Sequence, residues 1–117
     1  MKLNQIVKEL ELEVKSKVFN LDKEVSGGYA SDLLSDVIAN AKKENIWITL
    51  QIHQNIVGVA TLKELTGIII VNGREPEAET FKKAEQENIP IMVTKLPAFE
   101  IIGKLYRLLR GVEPSGS

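Results

Sequence analysis

Ile68-Ile69-Ile70-Val71 is an unbroken run of branched aliphatic residues. A strand with one wet face alternates apolar and polar side chains, so a run without alternation must be covered on both sides. That is the position of a strand inside a parallel sheet with helices above and below it. Two further segments fit the same sheet. Ile46-Trp47-Ile48-Thr49-Leu50 is a strand by residue type. Ile89 to Val93 reads as another buried strand, with Pro90 near its start, where a missing amide donor is tolerated.

Helical signals fall between and around these runs. Leu3, Ile6, Val7 and Leu10 share one face of an opening helix. Leu12, Val14 and Val18 alternate loosely and suggest a strand, and the polar segment Asn20 to Glu24 reads as a turn. Val25 to Tyr29 is a short extended stretch ending in glycines. Ser31 is an N-cap for the next helix, with Asp32 favoured in its first turn by the dipole. Leu33, Leu34, Val37, Ile38 and Ala41 are its apolar stripe, Lys42 and Lys43 lie near its end, and Asn45 is its stop. Asn55 to Leu65 is read as a helix capped by Asn55, with a strand as the alternative, because its β-branched residues and Gly58 lower helix propensity. Pro76 opens a further helix at its first position, carried on by Ala78, Phe81 and Ala84. Pro97 opens the last one, with Phe99, Ile102, Leu105, Tyr106 and Leu109 on its core face and Gly111 at its end.

From Val25 onwards strands and helices therefore alternate, which calls for crossover connections and a parallel sheet. The expected fold class is α/β, a single three-layer domain with a mostly parallel sheet and helices on both faces. The length of 117 residues suits one domain, read as residues 1–111, and 112–117 as a flexible tail or expression remnant. There is no cysteine, so disulfides and thiolate metal sites are excluded. A formal net charge of −1 provides no electrostatic footprint for nucleic acid or an anionic membrane. With no membrane-length apolar run and no export signal, a cytoplasmic location is the default.

In such a sheet, ligands bind beyond the carboxyl ends of the strands. The segments expected there are Gly27, Gly28, Tyr29, Ser31 and Asp32; Gln51, His53, Gln54 and Asn55; Asn72, Gly73 and Arg74; and Thr94 and Lys95. They hold the only histidine and many amides and hydroxyls. Gly27-Gly28 either turns the chain at positive φ or lets a phosphate approach the backbone. It is neither a dinucleotide fingerprint nor a P-loop. His53 has no second histidine or cysteine for a metal, and no cofactor is expected. Glu75, Glu77 and Glu79 answer the dipole of the helix after Pro76 and repel anions there. The helix at Asn55 has no acidic first turn, so an anion is expected near Gln54, Asn55 and the glycine pair, with Lys95 or Arg74 as counter-charge. An enzyme would need Ser31, Asp32 and His53 gathered into one trio.

Three stretches, Gly28 to Asp36, Trp47 to Val57 and Gly67 to Pro76, together resemble the small stand-alone bacterial proteins of the DRTGG-domain family over roughly residues 3–110. Thr94-Lys95 followed by Ala98-Phe99-Glu100 adds to the resemblance. No literal Asp-Arg-Thr-Gly-Gly string is present. The resemblance implies a fold similar to the N-terminal domain of HPr kinase/phosphorylase. It also implies a regulatory role, as in some phosphate acetyltransferases and CBS-domain pyrophosphatases, with dimer contacts. The catalytic part of the kinase is absent from that domain and from this chain. The expected function is thus a non-catalytic regulatory or ligand-binding module, a homodimer taking a small anion or nucleotide and acting on a partner enzyme. The alternative is an interaction module with no small ligand.

Overall fold

Four strands pair side by side in the order in which the chain makes them. The structure, a computed structural model, describes residues 1–16 and 20–111. In chain order its elements are α1 (Leu3–Glu9), β1 (Glu13–Val14), β2 (Gly27–Ala30), α2 (Leu34–Asn40), β3 (Asn45–Thr49), α3 (Asn55–Leu62), β4 (Gly67–Ile70), α4 (Ala78–Glu87), β5 (Ile91–Val93) and α5 (Ala98–Arg110). The sheet runs β1-β5-β4-β3-β2, parallel throughout β2 to β5. At one edge β1 joins it antiparallel, with Glu13 opposite Val93. The expected strand over Leu12, Val14 and Val18 is thus a two-residue edge strand; Val18 and the expected tail 112–117 lie outside the described residues.

The unbroken apolar runs are sandwiched as the sequence requires. Trp47, Ile68, Ile70, Ile91 and Val93 face α2, α3 and α4, while Ile46, Ile48, Ile69 and Met92 face α1 and α5. Trp47 is wholly buried and donates its indole N–H to the Ser31 carbonyl at 2.7 Å, so the largest core side chain carries no unpaired polar atom. The Asn55 segment is a helix, ending at Leu62, because Ile56, Val57, Val59 and Ala60 gain more from burial against the sheet than β-branching costs. No helix among the described residues is long and apolar enough to cross a membrane.

Several local expectations are corrected. Gly27 and Gly28 begin β2 instead of ending it. Neither has positive φ; a Cβ on Gly28 would stand 3.2 Å from the Leu105 methyl, so the glycine lets α5 lie close over the edge strand. Leu33, not Ser31, occupies the N-cap of α2, and Asp36, not Asp32, is in its first turn. Ser31 Oγ instead accepts the Leu33 N–H at 3.1 Å, a hydroxyl turn ahead of the helix. Leu33 and Ile38 are exposed, leaving Val37 and Ala41 as the buried stripe. Asn45 starts β3 and its side chain accepts the Lys42 N–H, closing the turn before it. Pro76 precedes its helix because Glu77 is extended and spends its N–H on the Ile52 carbonyl.

The last helix is rotated from expectation. Ile101 and Leu105 are its buried positions, whereas Phe99 is 88% exposed and Ile102 and Tyr106 also face outward.

Candidate functional site

After β2 the chain changes faces of the sheet once, following β5. The segments leaving β2, β3 and β4 lead to α2, α3 and α4 on one face, and the segment leaving β5 leads to α5 on the other. In an open parallel sheet a crevice forms where neighbouring strands send their connections to opposite faces. Here that place lies between the ends of β4 and β5, so topology selects Asn72, Gly73 and Arg74 with Thr94 and Lys95.

The two loops are joined at their base. The Asn72 N–H donates to the Leu96 carbonyl at 2.8 Å and the Gly73 N–H to the Thr94 carbonyl at 2.9 Å. Asn72 and Gly73 both sit in the left-handed region, at φ 63° and 70°, conformations for which asparagine and glycine are the suited residues. Beyond them opens a cleft of 410 Å³, lined by Gly73, Arg74, Thr94, Lys95 and Leu96 and by Leu10, Glu11 and Glu13 on its far wall. Lys15 pairs with Glu13 and Glu75 beside the cleft, and these two carboxylates raise its ammonium above the usual range against a partial loss of hydration. Arg74 reaches the Leu50 carbonyl at 2.7 Å, linking the ends of β3 and β4. Lys95 is exposed and makes no ion pair among the described residues.

A second, shallower hollow of 190 Å³ lies over the ends of β2 and β3, lined by Ser31, Asp32, Thr49, Leu50, Val71 and Ala98. Its polar groups are largely engaged with one another. Asp32 Oδ1 accepts the Thr49 hydroxyl at 2.8 Å and the Leu50 N–H at 2.7 Å, and Gln51 donates to the Asp32 carbonyl. This carboxylate is a clasp between strand ends.

The remaining expected site residues are dispersed. Tyr29 donates its hydroxyl to Asp36 at 2.9 Å, on the α2 side of the sheet. Hydrogen bonds from Ser31, Tyr29 and Asn40 hold the Asp36 carboxyl below its ordinary value, and the same carboxylate raises the Tyr29 phenol. His53, Gln54 and Asn55 are exposed at the start of α3. His53 Nδ1 accepts the Asn55 N–H at 3.1 Å, which places the ring proton on Nε2 and occupies one amide that an anion would use. The glycine pair stands at the far end of β2 from Asn55, so the two cannot share one anion. Ser31, Asp32 and His53 each bond to other partners, and no hydrogen bond among the described residues joins any two of them. No cluster of metal-ligating side chains occurs among the described residues.

The far wall of the cleft was not legible beforehand. Glu11, Glu13 and Leu10 reach it because β1 pairs antiparallel with β5, and a two-residue strand leaves no periodicity to read.

No protein-family model matches the chain, and no curated protein matches it. Among solved structures it is similar to the CBS and DRTGG domains of the regulatory region of Clostridium perfringens pyrophosphatase, complexed with the activator diadenosine tetraphosphate. The TM-score is 0.64 at 16% identity, over 89% of this chain and 47% of that one. The chain thus spans about half the length of that neighbour. The likeness lies in the fold, a DRTGG-like α/β architecture.

Proposed function

We propose that this chain is a regulatory domain that binds a nucleotide or another small phosphorylated anion in the crevice between the β4 and β5 loops, and passes that binding to a partner enzyme in the cytoplasm. The observation that carries the reading is the 410 Å³ cleft at the one place where connections diverge, with Lys95 beside it and free of any ion pair among the described residues. Lys95 supplies a mobile point charge for phosphate. The Thr94 hydroxyl adds a donor, its oxygen being already oriented by the Leu96 N–H at 3.2 Å. Leu10 and Leu96 offer apolar surface to a base. Gly73 and Asn72 let the backbone approach the ligand closely. The pyrophosphatase neighbour's nucleotide activator supports the ligand class, and its regulatory character supports a domain without chemistry of its own.

The test is a thermal-shift and NMR titration series with ATP, diadenosine tetraphosphate and inorganic phosphate. A specific ligand at 100 times its dissociation constant stabilises the fold by about 2.7 kcal/mol. Amide shifts are expected at 72–75 and 94–96, and Lys95→Ala weakens binding about tenfold or more. Absence of any shift with all three compounds, or shifts confined to 27–32 and 53–57, overturns the assignment. A second reading, a docking module with no small ligand, is favoured by the outward Phe99, Ile102 and Tyr106 of α5.

A further inference from the structure

The outward face of α5 is built unlike any other helix surface of the described chain. Phe99, Gly103, Tyr106 and Arg110 stand one above another, at spacings of four, three and four residues, on the side opposite the buried Ile101 and Leu105. Phe99 is 88% exposed and Tyr106 61%. Arg110 lies over the Tyr106 ring, 5.4 Å from its centroid. Between the two aromatics, Gly103 has nothing within 4 Å of where a Cβ would stand. A glycine in an exposed helix interior weakens the helix relative to alanine, and no neighbour within this chain requires it. Gly58 on α3 is equally open, but no aromatic stands beside it. The α5 face also borders the largest concavity of the described chain, 630 Å³, whose other wall is Glu9 and Leu10 at the end of α1.

We infer that a second copy of this chain covers this face, with the two α5 helices packed antiparallel about a two-fold axis between Lys104 and Leu105. The face is complementary to itself in that arrangement. The axis sets Tyr106 of each copy over Gly103 of the other, a large side chain into the gap left by a missing one. It sets Phe99 against Arg110 of the other copy, a guanidinium on an aromatic ring. On one flank Ile102 meets Leu109. On the other, Glu100 in the first turn meets Arg107 in the last, so acid faces base in both halves. A strongly acidic or basic partner would satisfy only one end of the helix; an inverted copy satisfies both. The apolar area of one such helix pair is at the small end for specific interfaces, so the dimer forms reversibly at micromolar to millimolar concentration.

This inference rests on the docking reading and leaves the rim untouched: a monomer that still bound nucleotide would remove the dimer and spare the ligand site. The experiment is sedimentation velocity across a concentration series with the full chain, together with thermal melting. The wild type is expected to move from monomer to dimer, with Tyr106→Glu about tenfold or more weaker in association. Gly103→Gln is the discriminating variant. It is expected to melt at a higher temperature, because the helix improves, and yet to dimerise more weakly, because the seat for Tyr106 is filled. Glu100→Lys is expected to weaken self-association, and mixing it with Arg107→Glu to restore a mixed dimer. A wild type that stays monomeric at its highest soluble concentration overturns the proposal. So does a Gly103→Gln variant that dimerises as well as the wild type, or a dimer indifferent to both Tyr106→Glu and Glu100→Lys.

Discussion

The Asp32 carboxylate accepts the Thr49 hydroxyl at 2.8 Å and so fastens the loop after β2 to the end of β3. Thr49 is buried, and the same oxygen takes the Leu50 N–H. Asp32→Ala leaves both donors without this acceptor and is expected to cost about 1–3 kcal/mol. Asp32→Asn, which keeps an oxygen there, costs less. Urea denaturation of the two variants checks the order; equal midpoints for Asp32→Ala and the wild type would mean the clasp carries no stability.

Ser16 does comparable work at the other end of the sheet. Its buried hydroxyl donates to the Ile89 carbonyl at 3.0 Å and accepts the Ile91 N–H at 2.8 Å, tying the segment after β1 to the start of β5. Ser16→Ala strands both backbone groups, at about 1–3 kcal/mol, and hydrogen exchange at Ile91 is expected to accelerate before that of Ile69.

Gly67 opens β4 where the preceding strand segment comes close. A Cβ there would stand 3.1 Å from the Pro90 carbonyl oxygen and 3.2 Å from the Met92 methyl. Met92 can yield but the backbone oxygen cannot do so freely, so Gly67→Ala is expected to destabilise by about 1–3 kcal/mol. Thermal melting measures this; an unchanged or raised melting temperature would show that the strands part at no cost.

Stability should depend on pH through the Tyr29–Asp36 pair. The Asp36 carboxyl is depressed below its ordinary 3.8 by bonds from Ser31, Tyr29 and Asn40. Its contribution is therefore complete above 3.8 and disappears as pH falls through the lower, folded value. The Tyr29 phenol is raised above 10.0 by Asp36, so its contribution is complete below 10.0 and is lost as pH rises through the higher, folded value. Asp36→Asn should flatten the acid limb of a stability profile and Tyr29→Phe the alkaline limb. Profiles parallel to the wild type in both variants would show that the pair does not govern either limb.

How far the fold could be read in advance depended on how many registers each segment allowed. Ile68 to Val71 permits one environment, covered on both faces, and it has that environment. In α5, Ala98, Ile101, Leu105 and Leu108 form one apolar stripe and Phe99, Ile102, Tyr106 and Leu109 another, one residue apart. Periodicity alone cannot choose between them; the close approach of Leu105 to Gly28 does. That same contact explains the misplaced glycines, which resemble turn residues in sequence but admit a helix across sixty or more positions of chain. At the rim, the Asn72-Gly73-Arg74 and Thr94-Lys95 segments were legible because they follow strands of unmistakable composition. Their separation from the glycine pair was not, because it depends on which end of a four-residue strand the glycines occupy.

The single change of face after β5 also has a kinetic consequence. The surface formed by Ile46, Ile48, Ile69 and Met92 is roofed by Leu3 and Ile6 from α1 and by Ile101 and Leu105 from α5. During synthesis at about 5–20 residues per second, α2, α3 and α4 can settle on their side of the sheet as each strand emerges. The opposite side stays open over β2 and β3 until α5 has left the ribosome. Only then can the nascent polypeptide hide its second greasy flank, so the final helix acts as the latch on which productive folding waits.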